Sequence, residues 1–258
     1  MKTKFTKNNN KLEEIDNSLN KKAFLFDDEK SKKFWIIDYS GITLSLNYGK
    51  TGSIGRFQTK EFESEEKCIK QAEKLIKSKI KKGYIEDESF DFKKLIYFDE
   101  PEYTYGISPK TSHPNFVEHF KSAFYYDCSE EDSPFGSDEG NDALKEIEEN
   151  YRKNKNLNFI SFPKFLIENI WDMEYIKCDT LDKDILEEVS ENYSVDFDQS
   201  LMITYSIAFA QIKITGKIDK ELKENTLIAM KQFLIVHDYK SEFFDKMIED
   251  LSSFEYVN

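Results

Sequence analysis

The hydrophobic period of the chain changes once between residues 42 and 83, and that change limits what the N-terminal third can become. "ITLSLNY" alternates, with Ile42, Leu44, Leu46 and Tyr48 on one face and Thr43, Ser45 and Asn47 on the other, as in a half-buried strand. After Ser64 the period lengthens. Ile69, Ala72, Ile76 and Ile80 recur at three and four residues, which predicts the buried stripe of a helix. Lys67, Lys70, Lys74, Lys77 and Lys81 recur likewise on the opposite face. Ser64 is placed as N-cap, Glu65 and Glu66 complement the dipole, and Gly83 suits the C-terminal cap. "AFLF" (23–26), "KFWIIDY" (33–39) and "RFQTKEF" (56–62) supply three more strands, with Ser40-Gly41 turning a hairpin. A small antiparallel sheet closed by one helix is the expected fold here.

Between two of those strands lies "NYGKTGSIGR", residues 47–56. A strand carrying Trp35 leads into the alternating strand, then Tyr48-Gly49-Lys50, then Gly52-x-x-Gly55-Arg56. Phe62-x-Ser64-x-x-x-Cys68 follows, opening a Lys-rich helix that ends Gly83-Tyr84. This order resembles a WGR domain over residues 21–86, with the Trp-Gly-Arg triplet of that family standing as Tyr48-Gly49-Lys50. The resemblance implies contact with DNA or RNA. In poly(ADP-ribose) polymerases the module helps bind DNA near a strand end, its aromatic stacking and its basic residue contacting the backbone or a neighbouring domain. One stacked base is worth ~1–3 kcal/mol, whereas a lysine brings phosphate charge without arginine's bidentate fork. Gly49, Gly52 and Gly55 would let backbone approach a ligand closely. Of 37 basic residues only Arg56 and Arg152 are arginines; the lysine excess, with abundant Asn and Ile, has the look of AT-rich codon usage, so Arg56 stands out. The candidate nucleic-acid contacts are Tyr48, Lys50, Arg56, Lys67, Lys70 and Lys74. Tyr48 also falls in phase with Leu44 and Leu46, so capping the core is its alternative role, and Trp35 is read as core.

Charge divides the chain in the same place. Residues 1–84 hold 19 Lys and Arg against 12 Asp and Glu, leaving 18 against 38 for residues 85–258. The expected layout is a flexible tail over 1–20, the WGR-like module over 21–86, a connector over 87–111 in which "KLIYF" could add a strand, and an acidic, mainly helical domain over 112–258. Pro114 opens a helix with Phe116, Phe120 and Phe124 on one row. "PKFLIENIW" and "ILEEVSENY" continue the helical pattern, and residues 199–215 read as a central buried helix ending at Gly216. Asp219 and Ser241 are placed to cap two more. The whole is α+β.

"SHPNF" and "SPFGSDEGNDAL" together resemble the bacterial YfeS-like family, which is associated with WGR modules; that resemblance implies no particular activity. In the acidic loop around 129–142, Ser137 suits an N-cap, Asp138 and Glu139 the first turn, and Phe135 a hydrophobic staple. Asp132 has no such assignment. Asp132, Asp138 and Asp142 are the candidate contacts for a basic protein partner, and a hydrolase using the same three aspartates is a weaker possibility.

Several classes are poorly supplied. No run approaches the ~18 apolar residues of a membrane span, and the N-terminus has no apolar core of a signal peptide, so a cytoplasmic location and no membrane partner are expected. Three scattered cysteines and three histidines give no metal-ligand spacing, and no cofactor is expected. With no P-loop or nucleophile elbow, the expected protein is not an enzyme and binds nucleic acid through its WGR-like module. The alternative is an acidic interaction module of the immunity-protein kind that masks a basic partner.

Overall fold

The computed structural model describes residues 12–15, 20–100 and 106–258. Most of the expected tail, 1–11 and 16–19, lies outside them. The described residues form two compact units, one of residues 20–100, 106–117 and 212–216, the other of residues 12–15, 118–211 and 217–258.

The first unit is built on a five-stranded antiparallel sheet in the order β4-β3-β2-β1-β5. Its strands are β1 (Asn20–Asp28), β2 (Ser31–Ser40), β3 (Thr43–Lys50), β4 (Arg56–Glu61) and the short β5 (Ile85–Glu86). Ser40 pairs with Thr43 and Gly41 has φ +53, so Gly41 allows the tight hairpin turn expected there. Helix α1 (Glu65–Lys81) starts at Ser64, whose side chain accepts from the Lys67 amide, and ends before Gly83 at φ +86.

Both faces of the sheet are covered. On one, Phe24, Trp35, Ile37, Leu44 and Leu46 pack against Cys68 and Ala72 of α1. This corrects the helix stripe: Cys68 and Ala72 are buried, whereas Ile69 is 39% and Ile80 53% exposed. On the other face Ala23, Phe34 and Ile36 meet Phe90, Phe92 and Leu95, and Phe57 meets the rings of Tyr97 and Phe98. Residues 87–98 thus pack as a second layer, and "KLIYF" forms no strand. That layer explains why Ser45, Asn47 and Thr59, polar and on the face opposite α1, are buried. Further along, His113 Nε2 donates to the Lys93 carbonyl (3.0 Å), its Nδ1 accepts from the Asn115 amide (3.1 Å), and Asn115 Nδ2 donates to Gly216 (2.9 Å). "SHPNF" is therefore an anchoring motif within this unit.

The second unit is mainly helical. Helix α2 (Pro114–His119), whose residues 114–117 belong to the first unit, ends early, and a 3-10 turn over Ala123–Tyr126 follows, so the expected single helix is broken although Phe116, Phe120 and Phe124 are all buried. Helix α3 spans Asp138–Lys153 with Ser137 accepting from the Gly140 amide at 3.0 Å. A short α4 (Phe162–Phe165) continues as a π-turn over Leu166–Ile170. Helix α5 (Lys183–Thr215) is kinked at Tyr193, and its second half carries the buried Ile203, Ile207 and Phe209. Helices α6 (Lys220–Val236) and α7 (Glu242–Ser253) complete it. Ser241 caps α7 through the Phe243 and Phe244 amides. Asp219 stands at the head of α6 without a side-chain cap bond, because its carboxylate accepts from Gln211 and Asn258.

Candidate nucleic-acid interface

Glycine shapes the turn that follows β3. A Cβ on Gly49 would lie 2.8 Å from Ser53 Oγ and 3.0 Å from Gly55 Cα, so the strand end and the returning chain touch there. Gly55 has φ +83, and a Cβ on it would stand 2.2 Å from Asn47 Oδ1 and 2.6 Å from the Phe34 ring. Left-handed backbone and close contact together admit only glycine. Between them, the Ser53 amide and hydroxyl both donate to the Lys50 carbonyl (3.0 and 2.7 Å), and the Thr51 amide donates to Lys32 of β2 (3.0 Å).

The turn returns the chain so that Arg56 lies opposite Tyr48, and Lys33 lies opposite Lys50. Directly opposed residues share a face, and side chains two apart along a strand do too. Tyr48 packs with Trp35 and Leu46 on the α1 side, so Lys33, Lys50 and Arg56 point to that side. The last turn of α1 adds Lys79, whose Nζ sits 4.7 Å from the Tyr84 ring centre, 5.2 Å from Trp35 and 5.9 Å from Tyr48. Burial, and then the neighbouring Lys82 and Lys33 ammonium groups, lower the Lys79 pKa. The result is a rim of five cations, Lys33, Lys50, Arg56, Lys79 and Lys82, around half-buried Tyr48 and Tyr84. None of the five forms an ion pair with a carboxylate among the described residues.

The structure therefore groups Tyr48, Lys50 and Arg56 and adds three lysines that the sequence reading did not name. Lys79 had a signal: it continues the Cys68, Ala72, Ile76 spacing, an ammonium inside an apolar stripe. Lys67, Lys70 and Lys74 lie elsewhere, along the outward face of α1 beside Phe62, Lys77 and Lys81. Lys67 is held by Glu63 in an i,i+4 pair.

The acidic residues also separate. Asp132 accepts from the Tyr239 hydroxyl (2.9 and 3.1 Å to its two oxygens) and from Ser241 Oγ (2.6 Å). It thus orients the residue that caps α7, a role in the fold that the sequence did not suggest. Asp138 opens onto the same concavity as Asp132. Asp142 instead faces Lys145 on α3 at 3.1 Å.

The WGR domain family matches residues 21–91. The chain is 48% identical to the uncharacterized protein YfeS of Escherichia coli (strain K12) over 248 residues, 92% of this chain and 100% of that protein. Protein YehF of the same strain is 41% identical over 63 residues, 24% of this chain and 23% of its own length. A crystal structure of a protein from Bacteroides fragilis shares 26% identity over 51% of this chain and 39% of that one, with a TM-score of 0.26. No helix among the described residues is long and apolar enough to cross a membrane. With a WGR domain at its N-terminal end and near-complete coverage of a 48% identical relative, the chain belongs to the YfeS family.

Proposed function

We propose that the protein binds nucleic acid, without catalysing a reaction, through the cationic rim around Tyr48. The observation that carries this reading is the convergence of Lys33, Lys50, Arg56, Lys79 and Lys82, from three strands and a helix end, on exposed aromatic edges within a WGR domain. Unpaired ammonium and guanidinium groups are kept together against their mutual repulsion, and phosphate relieves that repulsion. Tyr48 is half-buried and already faces Lys79, so phosphate contact dominates and stacking contributes only at its free edge. The fold's reactive side chains support a binding role. Burial pushes the Cys68 thiol up, away from its nucleophilic form. His119 Nε2 donates to the Asp250 carbonyl (2.6 Å).

The test is fluorescence anisotropy of the full-length protein with labelled duplex and single-stranded oligonucleotides across a salt series. Contact with three or four phosphates gives a log K against log salt slope of roughly −3. A slope near zero, or binding unchanged when Lys50, Arg56 and Lys79 are all replaced by Gln, would sink this reading.

A further inference from the structure

The helical unit contains a concavity of about 650 Å³ whose lining is one-sided in charge. Glu131, Asp132, Asp138 and Glu139 contribute carboxylates, no Lys or Arg lines it, and its one imidazole, His237, is engaged by Asp198 at 2.9 Å. Its apolar wall is a connected set of rings. Phe233 and Phe244 stack at 5.1 Å, Tyr239 meets Phe244 edge-on at 6.2 Å, and Tyr205 meets Phe244 edge-on at 5.7 Å. Met202 adds a flexible apolar surface.

An acidic surface alone would carry little, but one group in this concavity lacks an explanation within the fold. Tyr205 is only 2% exposed, and its hydroxyl lines the cavity. That hydroxyl has no hydrogen-bond partner among the described residues. A tyrosine ring this deeply buried ordinarily has its hydroxyl tied to the protein, whereas here the hydroxyl is left to face the concavity. Burial and then the negative fields of Asp132 and Glu139 hold its proton on more firmly than usual. Those two carboxylates are themselves set in place: Asp132 by Tyr239 and Ser241, and Glu139 by Gln199 Nε2 at 3.0 Å on one oxygen.

We propose that this concavity is a binding site for an organic cation, an alkyl guanidinium or ammonium group. The charged head would lie between Asp132 and Glu139 with a lone pair of the Tyr205 hydroxyl toward it, and the alkyl stem would lie on Phe233, Phe244 and Met202. Preset carboxylates answer the charge, and the ring and thioether surface takes the apolar stem out of water. An inorganic ion would leave the ring wall without a role. The site is independent of the nucleic-acid reading, whose residues belong to the other unit.

Calorimetric titration of the full-length protein distinguishes the sources of such a cation. Agmatine probes a free amine, acetyl-Gly-Arg-Gly-amide probes a side chain of a protein, and butylurea is the neutral counterpart of the same shape. One-site binding of agmatine or the peptide, weakened by salt and absent with butylurea, supports the site, and the tighter of the two names the source. Tyr205→Phe removes only the partnerless hydroxyl, so it should weaken the cation by about fivefold or more while the unfolding temperature holds or rises. Glu139→Gln, which keeps the shape of the side chain, should weaken it in the same way. Silence of both cations up to about 10 mM, equal binding of butylurea, or full affinity in both variants would overturn the proposal.

Discussion

Tyr48 and Arg56 face each other across two strands, yet they carry different burdens. Tyr48 is packed against Trp35 and the α1 core, while Arg56 is exposed. Tyr48→Ala should therefore lower stability, by about 1–3 kcal/mol for a partly buried aromatic, whatever it does to binding. Arg56→Ala should leave the unfolding temperature within its error and reduce the salt slope of nucleic-acid binding by roughly 1. Thermal unfolding and anisotropy on the same pair of variants separate the two. Gly55→Ala belongs with the structural residues. Its left-handed backbone and its contact with Asn47 predict a loss of more than about 1 kcal/mol, read as a lower denaturation midpoint.

At the level of elements, the informative helix is α5. Its C-terminal end enters the unit built on the sheet, where Tyr97 donates its amide to the Ile214 carbonyl (3.0 Å) and His113 donates to that of Lys213 (2.8 Å). Lys213 is wholly buried there and pairs with Asp99 at 2.9 Å. Asp99→Ala takes an opposite charge away from a buried ammonium, so it should cost about 3–5 kcal/mol. The double variant Asp99→Leu with Lys213→Met should recover much of that loss, as a double-mutant cycle in denaturant would show. In the helical unit, Phe135 is fully buried ahead of α3 and Ser137 caps it. Phe135→Ala should cost ~3–5 kcal/mol and Ser137→Ala ~0.5–2 kcal/mol, the larger loss again falling on the packed ring.

For the molecule as a whole, buried tyrosines set the alkaline limit. Tyr97 in one unit and Tyr125, Tyr126 and Tyr205 in the other are each held protonated by burial, with nearby carboxylates adding to it for Tyr97, Tyr125 and Tyr205. Above the ordinary tyrosine value of about 10, the folded chain keeps protons that the unfolded chain releases. Their contribution to stability is thus complete below about pH 10 and is lost as pH rises further. Absorbance at 295 nm should show exposed tyrosines ionising first and a late step that coincides with loss of helical circular dichroism. Ionisation of all the tyrosines in one wave with the fold intact would contradict the burial described.

The α+β class, the order of strands and helix in the WGR domain, and the caps at Ser64, Ser137 and Ser241 were all legible in the sequence. Each is written within a few neighbouring residues, by a period of two or of 3.6 or by one side chain reaching its own helix end. Where the same local rule met an unseen neighbour it misled. Ile69 and Ile80 looked buried beside a lysine stripe, but the sheet meets α1 along Cys68 and Ala72 instead. Asn47 and Ser45 looked solvent-facing because nothing in "ITLSLNY" announces that residues 87–98 fold over that side. Tyr239 and Asp132, and Lys213 and Asp99, were brought together by tertiary structure alone. These partners stand far apart in the chain, and the free energy that unites them comes from desolvation and charge at a packed contact, which leaves no period in the sequence to read.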